Sequence, residues 1–223
     1  MPIPYWIHEK GAPRISNGSD FAAVQASFQT WENIQAANIK FAFRGTTTAG
    51  IVGHDGMNVV TFTDTSAPLG SSTIAATFSF FRTENGQTVF DEADIAFNPV
   101  IDFSTSGETN KFDIQSVLTH EIGHLLGLDH SGLVSSVMVP FGVPSQLDQR
   151  TLAYDDIAGI MEMYGTASET GQIRGTIEAD GTPVFGAHVV AVNSDGTPIV
   201  STVSQRDGSS SSISASRLLR CIR

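Results

Sequence analysis

The sequence predicts an α+β domain followed by a shorter β-rich segment of different character. Three observations predict it. Over roughly the first hundred positions short β-like runs stand between Gly, Asn, Asp and Ser turns, interrupted once by a stretch at helical spacing. Two further helical patterns follow, over 112–126 and 152–164. Beyond about residue 166 only short β-like runs between Asp-Gly turns remain. Strands with one helix, then two more helices, read as α+β rather than as repeated βαβ units.

Taken in order, Tyr5-Trp6-Ile7 reads as a first strand. Asn17-Gly18-Ser19 supplies a turn and an N-cap, and Phe21, Val24, Phe28 and Trp31 then mark an amphipathic helix to about Ala37. That aromatic stripe reads as core rather than as a cofactor box. Ile39, Phe41 and Phe43 alternate with Lys40, Ala42 and Arg44, as in a half-buried strand. Further strands are expected at 58–62, 73–81 and 88–97, separated by Gly, Asn, Asp and Ser. Over 112–126, Asp113 is an N-cap candidate, and Ile114, Val117, Leu118, Ile122 and Leu125 share one apolar arc. In the last helix Asp155 or Asp156 acts as a cap, and Gly165 ends it. The acidic pair reads as capping and hydrogen bonding rather than catalysis.

Composition narrows the function classes. At 223 residues the chain is one large domain, or one medium domain plus part of a second, and 40% hydrophobic content is enough for a packed core. A formal charge of −11 argues against nucleic acid and anionic membrane surfaces as partners. Cys221 is the single cysteine, so no internal disulfide forms; this suits a bacterial secreted protein as well as a cytosolic one. No apolar run of about 20 residues is present to span a bilayer. No signal peptide opens the chain, and Met1 leads directly into Pro2-Ile3-Pro4-Tyr5-Trp6. The expectation is a mature portion or fragment whose leader lies elsewhere.

The chemistry concentrates in His120-Glu121-Ile122-Gly123-His124-Leu125-Leu126-Gly127-Leu128-Asp129-His130, an HExxHxxGxxH pattern with five fixed positions. His120 and His124 stand four apart, so a helix puts them on one face, one turn apart, able to grip a single ion. Glu121 projects beside them, placed to take a proton from a metal-bound water. Gly127 falls where the helix must stop and the chain turn, a place where glycine tolerates positive φ. The turn returns His130 as third ligand. Three protein ligands leave the fourth zinc position open, the catalytic rather than the structural arrangement.

The pattern resembles that of the metzincin metallopeptidases, and its flanks resemble the matrixin branch. Ser131 after the third histidine is similar to that branch, as is Asp91-Glu92-Ala93-Asp94-Ile95-Ala96-Phe97-Asn98 upstream. Ser136-Val137-Met138-Val139-Pro140 resembles the family's Met-turn, and Leu152 through Gly165 resembles its last helix. The resemblance spans roughly residues 3–166. It implies a zincin/metzincin fold, a twisted mixed β-sheet with a zinc-site helix and a C-terminal helix. It further implies that Met138 forms a floor under the metal, that Val139 and Pro140 wall the substrate pocket, and that 73–77 is the edge strand above the cleft. An edge strand offers unpaired backbone groups to an extended peptide. Gly142 stands where many matrixins carry tyrosine, so a looser pocket rim is expected. His54-Asp55 resembles part of the second, structural zinc site of animal matrixins, but His8, His54 and His188 are too few and too scattered for it and read as ordinary surface or strand histidines.

The resulting expectation is a secreted zinc metalloendopeptidase, monomeric, acting on extended protein or peptide substrates. It holds one Zn2+ through His120, His124 and His130, with Glu121 as general base. Asp91, Glu92, Asp94 and Asp102 make Ca2+ a candidate structural ion, and a merely solvated charge cluster is the equal alternative. Two rivals stand beside this reading: a zinc-bearing but non-catalytic binding module, which the intact Glu121 opposes, and an astacin-like or snapalysin-like metzincin.

The peptidase domain is expected over 1–166, with 167–223 a linker, an incomplete β segment and an irregular tail. The stretch from Ile173 to Val203, with its Asp180-Gly181 and Asp195-Gly196 turns, resembles the start of a carboxypeptidase regulatory-like sandwich. Such a sandwich needs about seven strands, so this segment is expected to be poorly ordered and dispensable. The serine run from Ser209 and the basic end of the chain depart from that family, as a truncation or as a frame change near Gly208 leaves them.

Overall fold

A computed structural model describes residues 2–35, 37–51, 53–165 and 170–215. Of the linker expected over 166–171, residues 166–169 lie outside the described residues, as do the basic tail and Cys221. The chain divides into two compact units.

The first unit comprises Met1–Asn33, Ile39–Gly127 and Phe141–Thr151. Strand β1 (Ile3–His8) leads to helix α1 (Ser19–Glu32), and strands β2 (Phe41–Thr47), β3 (Val59–Thr61), β4 (Ala75–Glu84) and β5 (Gln87–Phe97) follow. They form one mixed sheet in the order β2-β1-β3-β5-β4. All neighbours run parallel except β4, which pairs antiparallel with β5 and lies at the edge. Two short strands, β6 (Phe103–Ser104) and β7 (Phe112–Asp113), pair ahead of helix α2 (Ile114–Leu125).

The stripe on α1 is core, as its spacing predicts. Phe28 and Trp31 are buried, the Phe28 ring stacks on Tyr5 of β1 at 3.8 Å between centroids, and Trp31 Nε1 donates to the Thr119 carbonyl of α2 at 2.9 Å. Burying such a side chain contributes about 1.5–3 kcal/mol. Helix α1 stops at Glu32, five residues short of the predicted end at Ala37. The Glu32 carboxylate accepts the Phe41 N–H nine residues on, so a bond to the start of β2 marks the helix end where periodicity alone cannot.

The second unit holds Ile34–Asn38, Leu128–Pro140 and Leu152–Arg223. Its helix α3 (Tyr154–Tyr164) is followed by β8 (Thr170–Thr176), β9 (Glu178–Ala179), β10 (Thr182–Pro183), β11 (His188–Val192), β12 (Pro198–Val203) and β13 (Ser209–Ala215). These pair as β8 with β13, β9 with β10, and β11 with β12. The segment expected to lack order is therefore paired. β12 packs against α3 with Ile199 and Val200 buried, and the serine run is itself a strand. Ladder hydrogen bonds need no apolar side chain, so a polar run pairs wherever a partner strand is offered.

Candidate metal centre

Helix α2 carries the first two histidines, and its start is set by a buried cap. Asp113 Oδ2 accepts the Ser116 N–H at 2.9 Å, as its position predicts. The same carboxylate takes two parallel bonds from Arg150, at 2.6 Å to Oδ1 and 2.8 Å to Oδ2. Arg150 belongs to a single 3-10 turn, Asp148–Arg150. The bidentate pair neutralises a fully buried cap, which sequence reasoning missed because Arg150 lies 37 positions away. Ile114, Leu118 and Ile122 are buried on the other face of the turn that presents His120 and His124.

The Nε2 atoms of His120 and His124 stand 3.1 Å apart. With His130, the three imidazoles offer ligand nitrogens that all lie within 4.8 Å of one another. Two nitrogens at about 2.0–2.1 Å from one tetrahedral zinc ion stand about 3.3 Å apart, so the donor set fits that ion in chemistry and spacing. Among the described residues no other His, Cys, Asp and Glu side chains gather in this way. Gly127 has φ 97°, the left-handed conformation expected where the chain leaves the helix.

Glu121 is buried, 5% exposed, beside the first two histidines. Loss of solvent pushes its carboxyl up to about 7, against a lowering hydrogen bond from Thr77. Thr77 Oγ1 lies 2.7 Å from Glu121 Oε2 and 3.0 Å from its main-chain oxygen. No sequence signal links Thr77 to the motif.

After His130, Ser131 donates its N–H to the Met138 carbonyl at 2.8 Å, closing a compact turn. Met138 is buried, and Asp156 of α3 holds the turn from below. Its carboxylate accepts the Ser136 hydroxyl and the N–H groups of Val137 at 2.9 Å and Met138 at 3.2 Å. It also accepts the Ala153 N–H at 2.8 Å, the capping bond expected of the acidic pair. Burial raises this carboxyl while its four donors lower it, with a net rise. Asp155 accepts from Ser131 Oγ and from the Ser201 N–H of β12, the latter at 2.7 Å.

The matrixin family model matches residues 3–165, taking in the histidine motif, the Met138 turn and α3. This chain belongs to the matrixin family. Metalloendoproteinase 1 of Glycine max is 34% identical over 142 residues, 64% of this chain and 41% of that protein. Metalloendoproteinase 1-MMP of Arabidopsis thaliana is 41% identical over 86 residues, 38% of this chain and 22% of the relative. Matrilysin of Rattus norvegicus is 44% identical over 64 residues, 29% of this chain and 24% of the relative. The chain thus spans about two fifths or less of the length of these curated relatives.

Past the third histidine of this matrixin the apolar residues divide sharply. Leu133, Val137 and Val139 are buried, whereas Val134 and Phe141 are 84% and 66% exposed. At Gly142 a β-carbon would meet Ile74 Cδ1 at 2.8 Å, with Phe112 at 3.4 Å behind, so any side chain there requires the end of Ile74 to shift. The acidic residues considered for calcium face different partners. Asp91 pairs with Arg82 and His54, Asp102 with Arg14, Glu92 accepts the Gly56 N–H, and Asp94 the Val59 N–H. His54 stacks on Phe80 as well, and His188 lies against Gly132 in the second unit. No helix among the described residues is long and apolar enough to cross a membrane.

Proposed function

We propose that this matrixin is a secreted zinc metalloendopeptidase that hydrolyses peptide bonds in extended protein substrates. The observation that carries this reading is a buried carboxylate, Glu121, set directly beside imidazoles whose ligand nitrogens gather within 4.8 Å. His120, His124 and His130 hold one zinc ion per chain. When bound, that ion polarises the scissile carbonyl and lowers the pKa of water toward about 7. Glu121 accepts the proton of the attacking water and delivers it to the leaving nitrogen. Met138, held by Asp156, forms the floor of the site, and Val139 and Pro140 wall the pocket for the side chain that follows the cleaved bond. The apolar character of Leu133, Val137 and Val139 supports a preference for a medium or large apolar residue there, worth about 1–3 kcal/mol over a small one.

The outer edge of β4 supports binding of an extended peptide as an added strand. Residues 1–166 form the peptidase domain, and 167–223 are a linker, an incomplete β segment and a tail. Secretion and a monomeric state belong to the same reading, supported by family membership and a charge of −11. Structural calcium is kept with it only as the equal alternative to solvated or ion-paired charge, since Asp91 and Asp102 face His54, Arg82 and Arg14. Purified protein is expected to carry close to one zinc by elemental analysis. Activity on a proteome-derived peptide library should vanish with 1,10-phenanthroline and return with added zinc. Undiminished cleavage in the metal-free protein overturns the reading, as does a strict requirement for a charged residue after the cleaved bond for the pocket.

A further inference from the structure

Thr77 is the one side chain of the edge strand that reaches the carboxylate beside the metal ligands. It faces Ile95 across the β4–β5 ladder, and its hydroxyl sits 2.7 Å from Glu121 Oε2 and 3.0 Å from the Glu121 carbonyl oxygen. A hydroxyl has one proton to give. The carboxylate oxygen is the nearer and the charged acceptor, and charge-assisted bonds are roughly twice as strong as neutral ones. The proton therefore goes to Oε2. The main-chain oxygen of Glu121 is the farther, neutral acceptor for that same proton, so both acceptors within reach of the hydroxyl belong to one residue. Glu121 is otherwise enclosed and 5% exposed.

We propose that Thr77 is a positioning residue for the general base, holding Oε2 of Glu121 so that Oε1 receives the proton of the attacking water. The proposal rests on the general-base role of Glu121. In the step concerned, Oε1 takes one water proton and the O–H electron pair forms the new bond to the scissile carbonyl carbon. The same proton passes to the leaving nitrogen as the C–N bond breaks, and Thr77 keeps its hydrogen bond to Oε2 throughout. Without that bond the carboxylate turns about its last side-chain torsion, which has only a broad, soft preference of its own. A peptide added along β4 lies on the strand that carries Thr77, so the element that seats the substrate also aims the base.

The experiment compares Thr77→Val, Thr77→Ser and Glu121→Ala as full-length, zinc-loaded proteins on one extended fluorogenic peptide. Valine keeps the branched shape and removes the donor, and serine keeps the donor. Thr77→Val is expected to lower kcat about 10- to 100-fold, the scale of a misplaced catalytic group, with KM within about twofold. Zinc content and the visible spectrum of the cobalt-substituted protein should stay unchanged. Thr77→Ser should return kcat to within a few-fold of the parent. If Thr77→Val keeps full kcat while Glu121→Ala loses it, the positioning role is overturned and the base stands. Full turnover in Glu121→Ala overturns the base and the positioning role together. Should Thr77→Val unfold, Thr77→Ala takes its place as the donor-less variant: a kcat equal to that of Thr77→Ser, with both proteins folded and holding their zinc, overturns the proposal.

Discussion

Glu121 and Asp156 are both buried acidic side chains on helices, and loss of solvent is the first cause raising each of them. They differ in how many donors meet them. Asp156 accepts a hydroxyl and three backbone N–H groups, from Ser136, Val137, Met138 and Ala153. Glu121 accepts from Thr77. A carboxylate whose lone pairs are saturated by fixed donors is a structural clamp, because moving a proton to it breaks what it holds. One with an oxygen to spare can take up a proton without dismantling its surroundings.

The largest expected effect breaks the comparison on the Glu121 side. Glu121→Ala should reduce kcat by about 10²- to 10⁴-fold while zinc stays bound at one per chain, since the change removes a proton acceptor and no ligand. Steady-state kinetics together with elemental analysis decide it. Zinc lost in step with activity would mean the side chain supports the site rather than the chemistry.

On the other side, Asp156→Ala removes the acceptor of four donors in the second unit at once, of which the Met138 N–H keeps another, the Ser136 hydroxyl oxygen at 2.9 Å. Removing one partner of a buried hydrogen bond costs about 1–3 kcal/mol, and for so many together roughly 3–5 kcal/mol is expected in urea unfolding. Asp156→Asn, which keeps one acceptor oxygen, should lose less. An unchanged unfolding midpoint in the alanine variant contradicts the clamp.

Asp94 sharpens the series as a third buried carboxylate, since it accepts from Val59 and faces like charge. Burial first, then Glu92, Asp55 and Asp64, push it up to about 7. Its folded pKa exceeds its unfolded value near 3.8, so the folded protein binds this proton more tightly. The associated stability is fully present below about pH 4 and is lost as pH rises toward about 7. Asp94→Asn keeps an acceptor for Val59 and sheds the charge, so it should remove this slope and raise stability near pH 8 by about 2–4 kcal/mol. Calorimetry across pH 5–8 tests this, and calcium that abolishes the slope in the parent protein would identify Asp94 as a cation ligand.

The smallest effect concerns the appended segment. A chain ending at Ser168 should still fold and cleave peptides, because the zinc ligands and Glu121 all precede it. It uncovers the face of α3 that Ile199 and Val200 cover and removes the Ser201 bond to Asp155, so a loss of about 1–3 kcal/mol is expected. Unfolding of the shortened chain would show that the second unit needs its β strands.

What was legible in the sequence is what depends on neighbours along the chain. The four-residue spacing of His120 and His124, the Asp113 cap three residues before Ser116 and the positive φ at Gly127 are all properties of one helix and its end. Alternation likewise located β2, and apolar runs between Gly, Asn, Asp and Ser turns located β3 to β5. The end of α1 and the pairing of the serine run escaped, since each is set by a tertiary partner rather than by periodicity.

The sequence by itself thus determined the three histidines that could hold a metal, the glutamate beside them and the sharp turn between the second and third histidines. Only the tertiary structure decided which groups hold those residues in place. Thr77 lies 44 positions from Glu121, Arg150 37 from Asp113, and Ser201 46 from Asp155. A contact across such a separation leaves no periodicity to read; it exists because the folded backbone brings two polar groups together where water is excluded, and each must then find the other.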